Sequence, residues 1–184
     1  QEKYGMKLIQ KKINDKLRSE LIENGIAKHT AQLLAARNIK SFADINYSIE
    51  MLLPPELLKD CNEASNFLSQ AIIDQKKVVI VGDYDADGAT GSSVAILGFQ
   101  LFGLDVDFLI PSRFKQGYGL SPEIVNLAHS MHAEIIITVD NGIASFDGVN
   151  RANELGIDVV ITDHHLQAET LPKASIIVNP NRKD

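Results

Sequence analysis

Residues 78–91 read VVIVGDYDADGATG, an apolar run of β-branched side chains followed at once by a glycine and three aspartates. Four consecutive β-branched residues next to a turn-forming segment are typical of a buried β-strand. The stretch therefore predicts a strand whose carboxyl end carries a group of acidic side chains.

Similar apolar runs recur along the second part of the chain and are separated by segments of helical composition. They cover residues 106–110, 135–139, 159–162 and 176–178. Five strands with four crossovers predict an α/β fold with a five-stranded, mostly parallel sheet. Because the strands are almost continuously apolar, we expect helices on both faces of the sheet. Gly103 and Gly156 stand where left-handed residues end helices, and Ser121-Pro122 is typical of a helix N-cap and first helical position.

The first 75 residues are typical of helices and show no recognisable chemistry. Ala64, Phe67, Leu68 and Ala71 recur at the spacing of one helical face, which indicates packing on a core. Pro54-Pro55 marks a connection between helices. We therefore expect a helical N-terminal region over residues 1–75, followed by an α/β domain over residues 76–184.

The composition excludes several classes of protein. The chain has 184 residues, of which 45% are hydrophobic and 23% charged, as in ordinary globular proteins. No apolar run approaches the roughly 20 residues that cross a bilayer, and the polar start does not resemble a secretory signal. A single cysteine, Cys61, excludes an internal disulfide. These features predict a cytoplasmic protein without a membrane partner.

The acidic charge is concentrated in the second part of the chain. Residues 1–77 hold 12 Lys and Arg against 10 Asp and Glu, whereas residues 78–184 hold 6 against 14. The overall net charge is −6. Nucleic acids are bound largely through Lys and Arg. Taken alone, the charge argues against a DNA or RNA partner.

Polar clusters directly follow four of the predicted strands. They are Gly82–Gly88, Asp140–Gly142, Asp163–His165 and Asn179–Asn181. Ligands of open α/β sheets bind outside the carboxyl ends of the strands, so we expect these clusters to converge on one site.

At least four carboxylates would meet at such a site. Two carboxylates about 4 Å apart repel each other by roughly 4 kcal/mol at an effective dielectric constant near 20. Protons or divalent cations must therefore offset the repulsion, and the neighbouring histidines favour cations. The mixed ligands suit Mn²⁺, with Mg²⁺ as an option and Zn²⁺ or iron still open. Because side chains alternate along an extended segment, one of His164 and His165 is assigned to metal and the other to substrate.

Four other interpretations of the acidic loop are weaker. Asp83, Asp85, Asp87 and Gly88 match the start of an EF-hand loop, but Val94 stands where that loop needs a glutamate. A phosphatase with an aspartate nucleophile requires a threonine at position 87 or 89, where Asp87 and Ala89 stand. Neither glycine-rich nucleotide-binding motif follows the first strand. The fourth interpretation is that the acidic residues only form Asp-Gly turns and have no function.

Three motifs carry a family resemblance. The segments GDYDADGATG (82–91), VDNG (139–142) and TDHH (162–165) resemble the first three motifs of the DHH phosphoesterase superfamily, in the same order at strand ends. The segments IPSRFKQGYGLSPE (110–123) and IIVNPN (176–181) resemble a group within it, exonucleases specific for single-stranded DNA. The resemblance is strong from Val78 onward and weaker in the N-terminal helices.

The resemblance implies a metal-dependent exonuclease that hydrolyses single-stranded DNA in the 5′-to-3′ direction, in DNA repair and recombination. It implies Mn²⁺ or Mg²⁺ at a two-metal site, and single-stranded DNA as partner together with a single-strand-binding protein or a helicase. Two alternatives are a DHH phosphodiesterase acting on oligonucleotides or cyclic dinucleotides, and a catalytically inactive DHH-like replication-factor module.

The resemblance also implies roles for individual residues. Metal ligands are Asp85, Asp87, His164 and Asp140, and Asp140 bridges the two metals and is catalytic. His165 contacts the scissile phosphate and is catalytic. Many members carry a histidine ligand at the position of Val81, so Asp83 is the candidate that replaces it.

Two residues of the loop before the second helix of the predicted domain, Arg113 and Tyr118, are expected to bind substrate. Arg113 and Lys115 flank Phe114, and a basic and aromatic loop can follow a phosphate backbone and stack a base. The family's fourth motif and its second domain are not present in the sequence. We therefore expect an N-terminal portion of a larger enzyme, with little or no activity by itself.

Overall fold

The computed structural model describes residues 9, 11–112 and 119–184. Contacts between Cα atoms divide the chain into two compact units, one ending at Leu53 and the other running from Pro54 to Asp184. The α-helices are α1 (Asp15–Glu23), α2 (Lys28–Ala35), α3 (Cys61–Ile73), α4 (Ala86–Leu101), α5 (Pro122–Ser130) and α6 (Phe146–Glu154). The strands are β1 (Val78–Gly82), β2 (Asp107–Leu109), β3 (Ile135–Val139), β4 (Asp158–Thr162) and β5 (Ile176–Val178).

The first unit is built on α1 and α2. The side chain of Asn14 caps α1 by accepting a hydrogen bond from the main-chain N–H of Leu17 at 3.1 Å. A small apolar core holds the two helices together, formed by Leu17, Leu21, Ala31 and Ala35. Two 3₁₀ turns follow, over Phe42–Ile45 and Ile49–Met51. The predicted helices of the N-terminal region are thus present.

The second unit contains one five-stranded sheet in the order β2-β1-β3-β4-β5. All four strand pairs are parallel, as predicted from the spacing of the apolar runs. β1 and β3 lie side by side, with Val81 opposite Thr138 and Gly82 opposite Val139. The predicted α/β fold is confirmed.

Helices cover both faces of this sheet. Because side chains alternate along a strand, Val79 and Val81 of β1 face α5 and α6, whereas Val78 and Ile80 face α3 and α4. β3 and β4 divide their side chains between the two faces in the same way. The strands are therefore buried on both faces, which explains their continuous apolar sequence.

The predicted helix boundaries are confirmed at several positions. Ser121 is the N-cap of α5 with Pro122 in the first helical position, and Gly103 and Gly156 have φ angles of +83° and +70°. One connection differs from the expectation: residues 163–175, between β4 and β5, contain no helix. This segment instead carries the two adjacent histidines.

Among the described residues, no helix is both long enough and apolar enough to cross a bilayer.

Candidate metal centre

The carboxyl ends of β1 and β3 form a natural crevice. The helix that follows β1 packs on one face of the sheet, and the helix that follows β3 packs on the other. Loops that leave adjacent strands in opposite directions open a cleft between them, which is where open α/β sheets bind ligands. The acidic and histidine-containing segments lie at this edge.

The loop after β1 is organised by its aspartates. Asp83 is buried, and one of its carboxylate oxygens accepts the main-chain N–H of Tyr84 at 2.7 Å. Asp85 is the N-cap of α4 and accepts the N–H groups of Asp87 and Gly88 at 3.0 and 3.1 Å. The bond from Gly88 is the main reason why the pKa of the Asp85 carboxyl lies below its ordinary value. Asp85 is therefore held as a carboxylate at the mouth of the crevice.

Gly88 allows α4 to start against this loop. A Cβ atom at this position would lie 2.5 Å from the carbonyl oxygen of Asp83. Only glycine permits so close an approach.

The loop after β3 presents Asp140 from a left-handed conformation. Its φ angle is +63°, its main-chain N–H donates to the carbonyl of Thr162 at 3.0 Å, and the residue is 8% exposed. Burial, and then the charge of Asp85, raise the pKa of the Asp140 carboxyl above its ordinary value. Unless a cation offsets its charge, the ionised form of Asp140 is therefore disfavoured in the crevice.

Asn141 fastens the same loop to the sheet. Its amide group donates to the carbonyl oxygens of Val81 and Val139 at 3.0 and 2.9 Å. The residue is fully buried. Asn141 thus ties the ends of β1 and β3 together directly beneath the acidic cluster.

The loop after β4 is folded around the carboxylate of Asp163. One oxygen accepts the main-chain N–H groups of His164 and His165 at 2.7 and 2.9 Å and contacts Nδ1 of His165 at 2.7 Å. The other oxygen accepts the N–H of Ile143 at 2.9 Å. The hydrogen bond with Asp163 is the main cause of the raised pKa of the His165 imidazole.

The side chains of the three loops meet in two overlapping groups. Ligand atoms of Asp83, Asp85 and Asp140 lie within 4.8 Å of one another, and so do those of Asp140, His164 and His165. Asp140 belongs to both groups, and its Oδ1 lies 2.9 Å from Nε2 of His164. Carboxylates gathered at this distance repel one another unless cations or protons offset their charge. The oxygen and imidazole donors fit Mn²⁺, and the carboxylates fit Mg²⁺.

The structure brings some of the predicted site residues together and not others. Five of them meet in the two groups: Asp83, Asp85, Asp140, His164 and His165. Asp87 is in neither group and lies in the first turn of α4, where it lines a cavity of about 720 Å³ together with Asp140 and His164. Arg113 and Tyr118 lie outside the residues that the structure describes.

The two histidine rings lie on the same side, contrary to the expectation that they point apart. Their ring centroids are 4.7 Å apart, with 40° between the ring planes. The expectation assumed an extended segment, but β4 ends at Thr162 and the bonds to Asp163 fold the chain at the histidines. Alternation of side chains therefore does not apply here.

Asp163 and Asn141 are the site residues for which the sequence suggested no role. Asp163 directly precedes the histidines, and a short polar side chain in that position commonly accepts following main-chain N–H groups. The position of Asp163 in the sequence therefore indicates this role. The contact of Asn141 with β1 depends on residues 60 positions apart and leaves no local signal.

The chain is similar in sequence to known proteins. The family model described as "DHH family, N-terminal domain" matches residues 77–184. The single-stranded-DNA-specific exonuclease RecJ of Escherichia coli (strain K12) is 44% identical over 154 residues, covering 83% of this chain and 27% of the relative. The chain thus spans about a quarter of the length of that relative.

Two solved structures are similar as well. A crystal structure of exonuclease RecJ bound to manganese aligns with a TM-score of 0.64 and 36% identity, covering 71% of this chain and 33% of the other. RecJ from Thermus thermophilus in complex with Mn²⁺ aligns with a TM-score of 0.64 and 28% identity, covering 91% and 24% of the two chains. Because the family model matches more than half of the chain, the chain belongs to the DHH family.

Proposed function

We propose that this chain supplies the metal-binding domain of an exonuclease that hydrolyses single-stranded DNA from the 5′ end, with Mn²⁺ or Mg²⁺ as cofactor. The observation that carries the proposal is Asp140, which belongs both to a group of three carboxylates and to a group with two histidines. The similarity to RecJ proteins, two of them crystallised with manganese, supports the same substrate and cofactor.

The proposal includes the organisation of the chain. A helical region over residues 1–75 precedes the DHH domain over residues 76–184, and the last helix of that region, α3, packs on the sheet of the domain. We extend the proposal to DNA repair and recombination in the cytoplasm, with single-stranded DNA as substrate and a single-strand-binding protein or a helicase as further partners.

The proposed metal ligands are Asp83, Asp85, Asp87, Asp140 and His164. Two divalent ions held by these residues would supply an activated water and would stabilise charge on the attacking and leaving oxygens during displacement at phosphorus. Hydrogen bonds within the chain orient two of these ligands without an ion. The N-terminus of α4 holds Asp85 as an acceptor, and the main chain of β4 holds Asp140 in the crevice through the carbonyl of Thr162.

His165 is proposed to act on the scissile phosphate. Asp163 binds its Nδ1 at 2.7 Å and so orients the ring, and we assign the opposite ring nitrogen, Nε2, to the phosphate oxygen. The Asp163 carboxylate also stabilises the protonated ring, and a protonated imidazole both donates a hydrogen bond and neutralises charge that develops on the phosphate. Arg113 and Tyr118 are proposed to bind the DNA strand.

The acidic charge of the domain is compatible with this substrate. Several of the negative charges of residues 78–184 belong to the proposed ligands, and two divalent ions would cancel about four of them. The net charge of the sequence counts the ligands without their metals, so it does not argue against a DNA strand at this site.

The test is a nuclease assay on 5′-labelled single-stranded DNA, the same sequence as duplex, and dinucleotides, with Mn²⁺, Mg²⁺ or EDTA. It uses the 184-residue chain and the longest polypeptide of the same reading frame. We expect stepwise release of mononucleotides from single strands by the longer polypeptide, with little or no turnover by the shorter chain.

Two variants make the assay specific. Asp140→Asn should abolish cleavage, whereas Asp158→Asn, at the opposite edge of the sheet where β4 begins, should leave it unchanged. Cleavage of dinucleotides alone, or full activity of Asp140→Asn, would contradict the proposal.

A further inference from the structure

The segment that carries the two histidines is held almost entirely by side chains. It contains no helix or strand, yet the N–H groups of His164 and His165 both donate to Asp163. Their two carbonyl groups are bonded as well. The amide of Asn181 donates to the carbonyl of His164, and the amide of Asn179 donates to that of His165 at 3.0 Å. Three side chains thus bind all four main-chain polar groups of the histidine pair.

The two asparagines come from the turn that follows β5, and they hold each other. The main-chain N–H of Asn181 donates to Oδ1 of Asn179 at 2.7 Å, while the amide group of Asn179 reaches His165. Asn179 is buried and Asn181 is exposed. The turn is therefore a preformed support that presents two amide donors to the histidine segment.

Arg182 anchors this turn to the rest of the unit. Its side chain is only 9% exposed. The guanidinium donates to the carbonyl of Ile177 at 2.5 Å, to Asp60 at the start of α3, and to both carboxylate oxygens of Asp184 at 2.9 and 2.7 Å. Multiple bonds to a planar guanidinium fix its orientation. The support of the histidines is thereby connected to a helix more than a hundred residues away in sequence.

We propose that Asn179 and Asn181 are positioning residues that set the orientation of the His164 and His165 rings through their main-chain carbonyls. This inference rests on the proposed function, since it assigns these asparagines to the same metal and phosphate site. Metal ligands must be held within about half an ångström of their productive geometry. A peptide group that loses its partner can rotate, and a rotation beside the Cα of a histidine moves its ring atoms by more than that.

The chain offers a matched control for this bond. Asn153, in the last turn of α6, donates its amide to the carbonyl of Lys173 at 3.0 Å. The residue is exposed, like Asn181, and its bond likewise joins a side chain to a distant main-chain carbonyl. Its acceptor, Lys173, lies at the far end of the 163–175 segment from the histidines, so Asn153→Ala removes the same kind of bond without touching the main-chain groups of His164 and His165.

The first measurement needs no metal. In the structure, Nδ1 of His165 faces Asp163 and Nε2 of His164 faces Asp140, so the two rings should occupy opposite tautomers. Two-bond ¹H–¹⁵N correlation spectra at a pH of about 9, where imidazoles are neutral, distinguish the tautomers. We expect fixed tautomers in the wild-type chain and in Asn153→Ala, and averaged ¹⁵N shifts for at least one of the two rings in Asn181→Ala.

The second measurement is Mn²⁺ affinity, read from the electron paramagnetic resonance signal of the free ion. Loss of a group that orients a metal ligand typically weakens binding about 10- to 100-fold. We expect a loss of this size in Asn181→Ala and none in Asn153→Ala. Asn179→Asp provides a second variant, because it keeps the acceptor for Asn181 and removes the donor to His165.

The outcomes separate the two proposals. If Asp140→Asn binds Mn²⁺ as well as the wild-type chain, the proposed metal site is wrong. If Asp140→Asn loses Mn²⁺ while Asn181→Ala keeps wild-type affinity and fixed tautomers, only the positioning role is wrong. The result for Asn179→Asp is used only if circular dichroism shows that the variant is folded. If it is not folded, Asn181→Ala alone tests the proposal, because Asn181 is exposed.

Discussion

Asp140 combines three features that each cost stability in a chain without metal. The residue has a positive φ angle of +63°, is 8% exposed, and shares a 4.8 Å group with the carboxylates of Asp83 and Asp85. A left-handed conformation is tolerated by Asp and Asn better than by most residues. Burial and like charge, however, penalise only the ionised carboxyl. Binding sites commonly sacrifice stability in this way.

We therefore predict that Asp140→Asn stabilises the chain in EDTA. The pKa of Asp140 is raised in the folded state, so ionisation at neutral pH works against folding, and the amide removes that cost while it suits the backbone conformation. At pH 7 in EDTA, the free energy of unfolding should therefore be higher for Asp140→Asn than for the wild-type chain. The difference should shrink as the pH falls through the folded pKa, and vanish below the ordinary carboxyl pKa of about 4, where Asp140 is neutral in both states.

Urea unfolding of both chains at several pH values measures the difference in their free energies of unfolding. The same experiment with Mn²⁺ tests whether the difference arises at the proposed metal site. Mn²⁺ should raise the midpoint of wild-type unfolding, because a ligand of the folded state stabilises it, and should leave Asp140→Asn unchanged. A variant that is less stable than wild type at pH 7 in EDTA would show that the carboxylate cluster is not repulsive.

At the scale of elements, a glycine in α6 allows this helix to pack closely against the main chain before α5. Gly148 lies in the first turn of this helix, and a Cβ atom there would be 1.9 Å from the carbonyl oxygen of Leu120. That carbonyl precedes α5, so the close approach sets the spacing of the two helices that cover one face of the sheet. α6 in turn follows the loop that carries Asp140 and Asn141.

We predict that Gly148→Ala destabilises the chain although alanine is the better helix former. Helix propensity favours the substitution by about 1 kcal/mol, but the clash is with main-chain atoms that cannot move aside, and overpacking of this kind costs typically about 1–3 kcal/mol or more. Gly98→Ala is the matched control, since a Cβ at this position in α4 meets nothing within 4 Å. It should stabilise by about 0.5–1 kcal/mol. Thermal unfolding of both variants decides; equal shifts of the same sign would refute the argument.

The elements themselves follow from local sequence to different degrees. β1 and β3 are predictable because burial on both faces leaves a continuous apolar run, and Ser121-Pro122 starts α5 by a rule that involves neighbouring residues only. The convergence of acidic loops on one edge also follows, because parallel strands place their carboxyl ends together. These features depend on interactions within a few residues or on the topology as a whole.

The details of the site do not follow in the same way. The side on which the His165 ring lies depends on Asp163 and on Asn179, which comes from a different strand end. Side-chain periodicity applies to regular structure, and the histidine segment has none. These contacts join residues from different loops, so they cannot be predicted from local residue spacing.

At the scale of the whole molecule, the sheet depends on a helix that precedes it in sequence. α3 lies within residues 1–75 but packs on the sheet of the second unit, with Ala64 and Ala71 buried against the face formed by Val78 and Ile80. Three larger side chains of the helix are partly buried on the same face, and they are Phe67, Leu68 and Ile72. Asp60, at the start of the helix, also binds the guanidinium of Arg182. Residues 54–75 are therefore part of the structural support of the site.

We predict that residues 54–184 fold without the first unit, and that residues 76–184 do not form a cooperative fold. Burial of a large apolar side chain is worth about 1.5–3 kcal/mol, so removing the three large side chains and two alanines of α3 costs roughly 5 kcal/mol even when burial is partial. A loss of that size approaches the whole stability of a typical domain, about 5–15 kcal/mol. Urea unfolding followed by circular dichroism compares both fragments with the full chain. The shorter fragment should show no sigmoidal transition; an unfolding midpoint equal to that of residues 54–184 would mean that α3 merely covers a sheet that is stable without it.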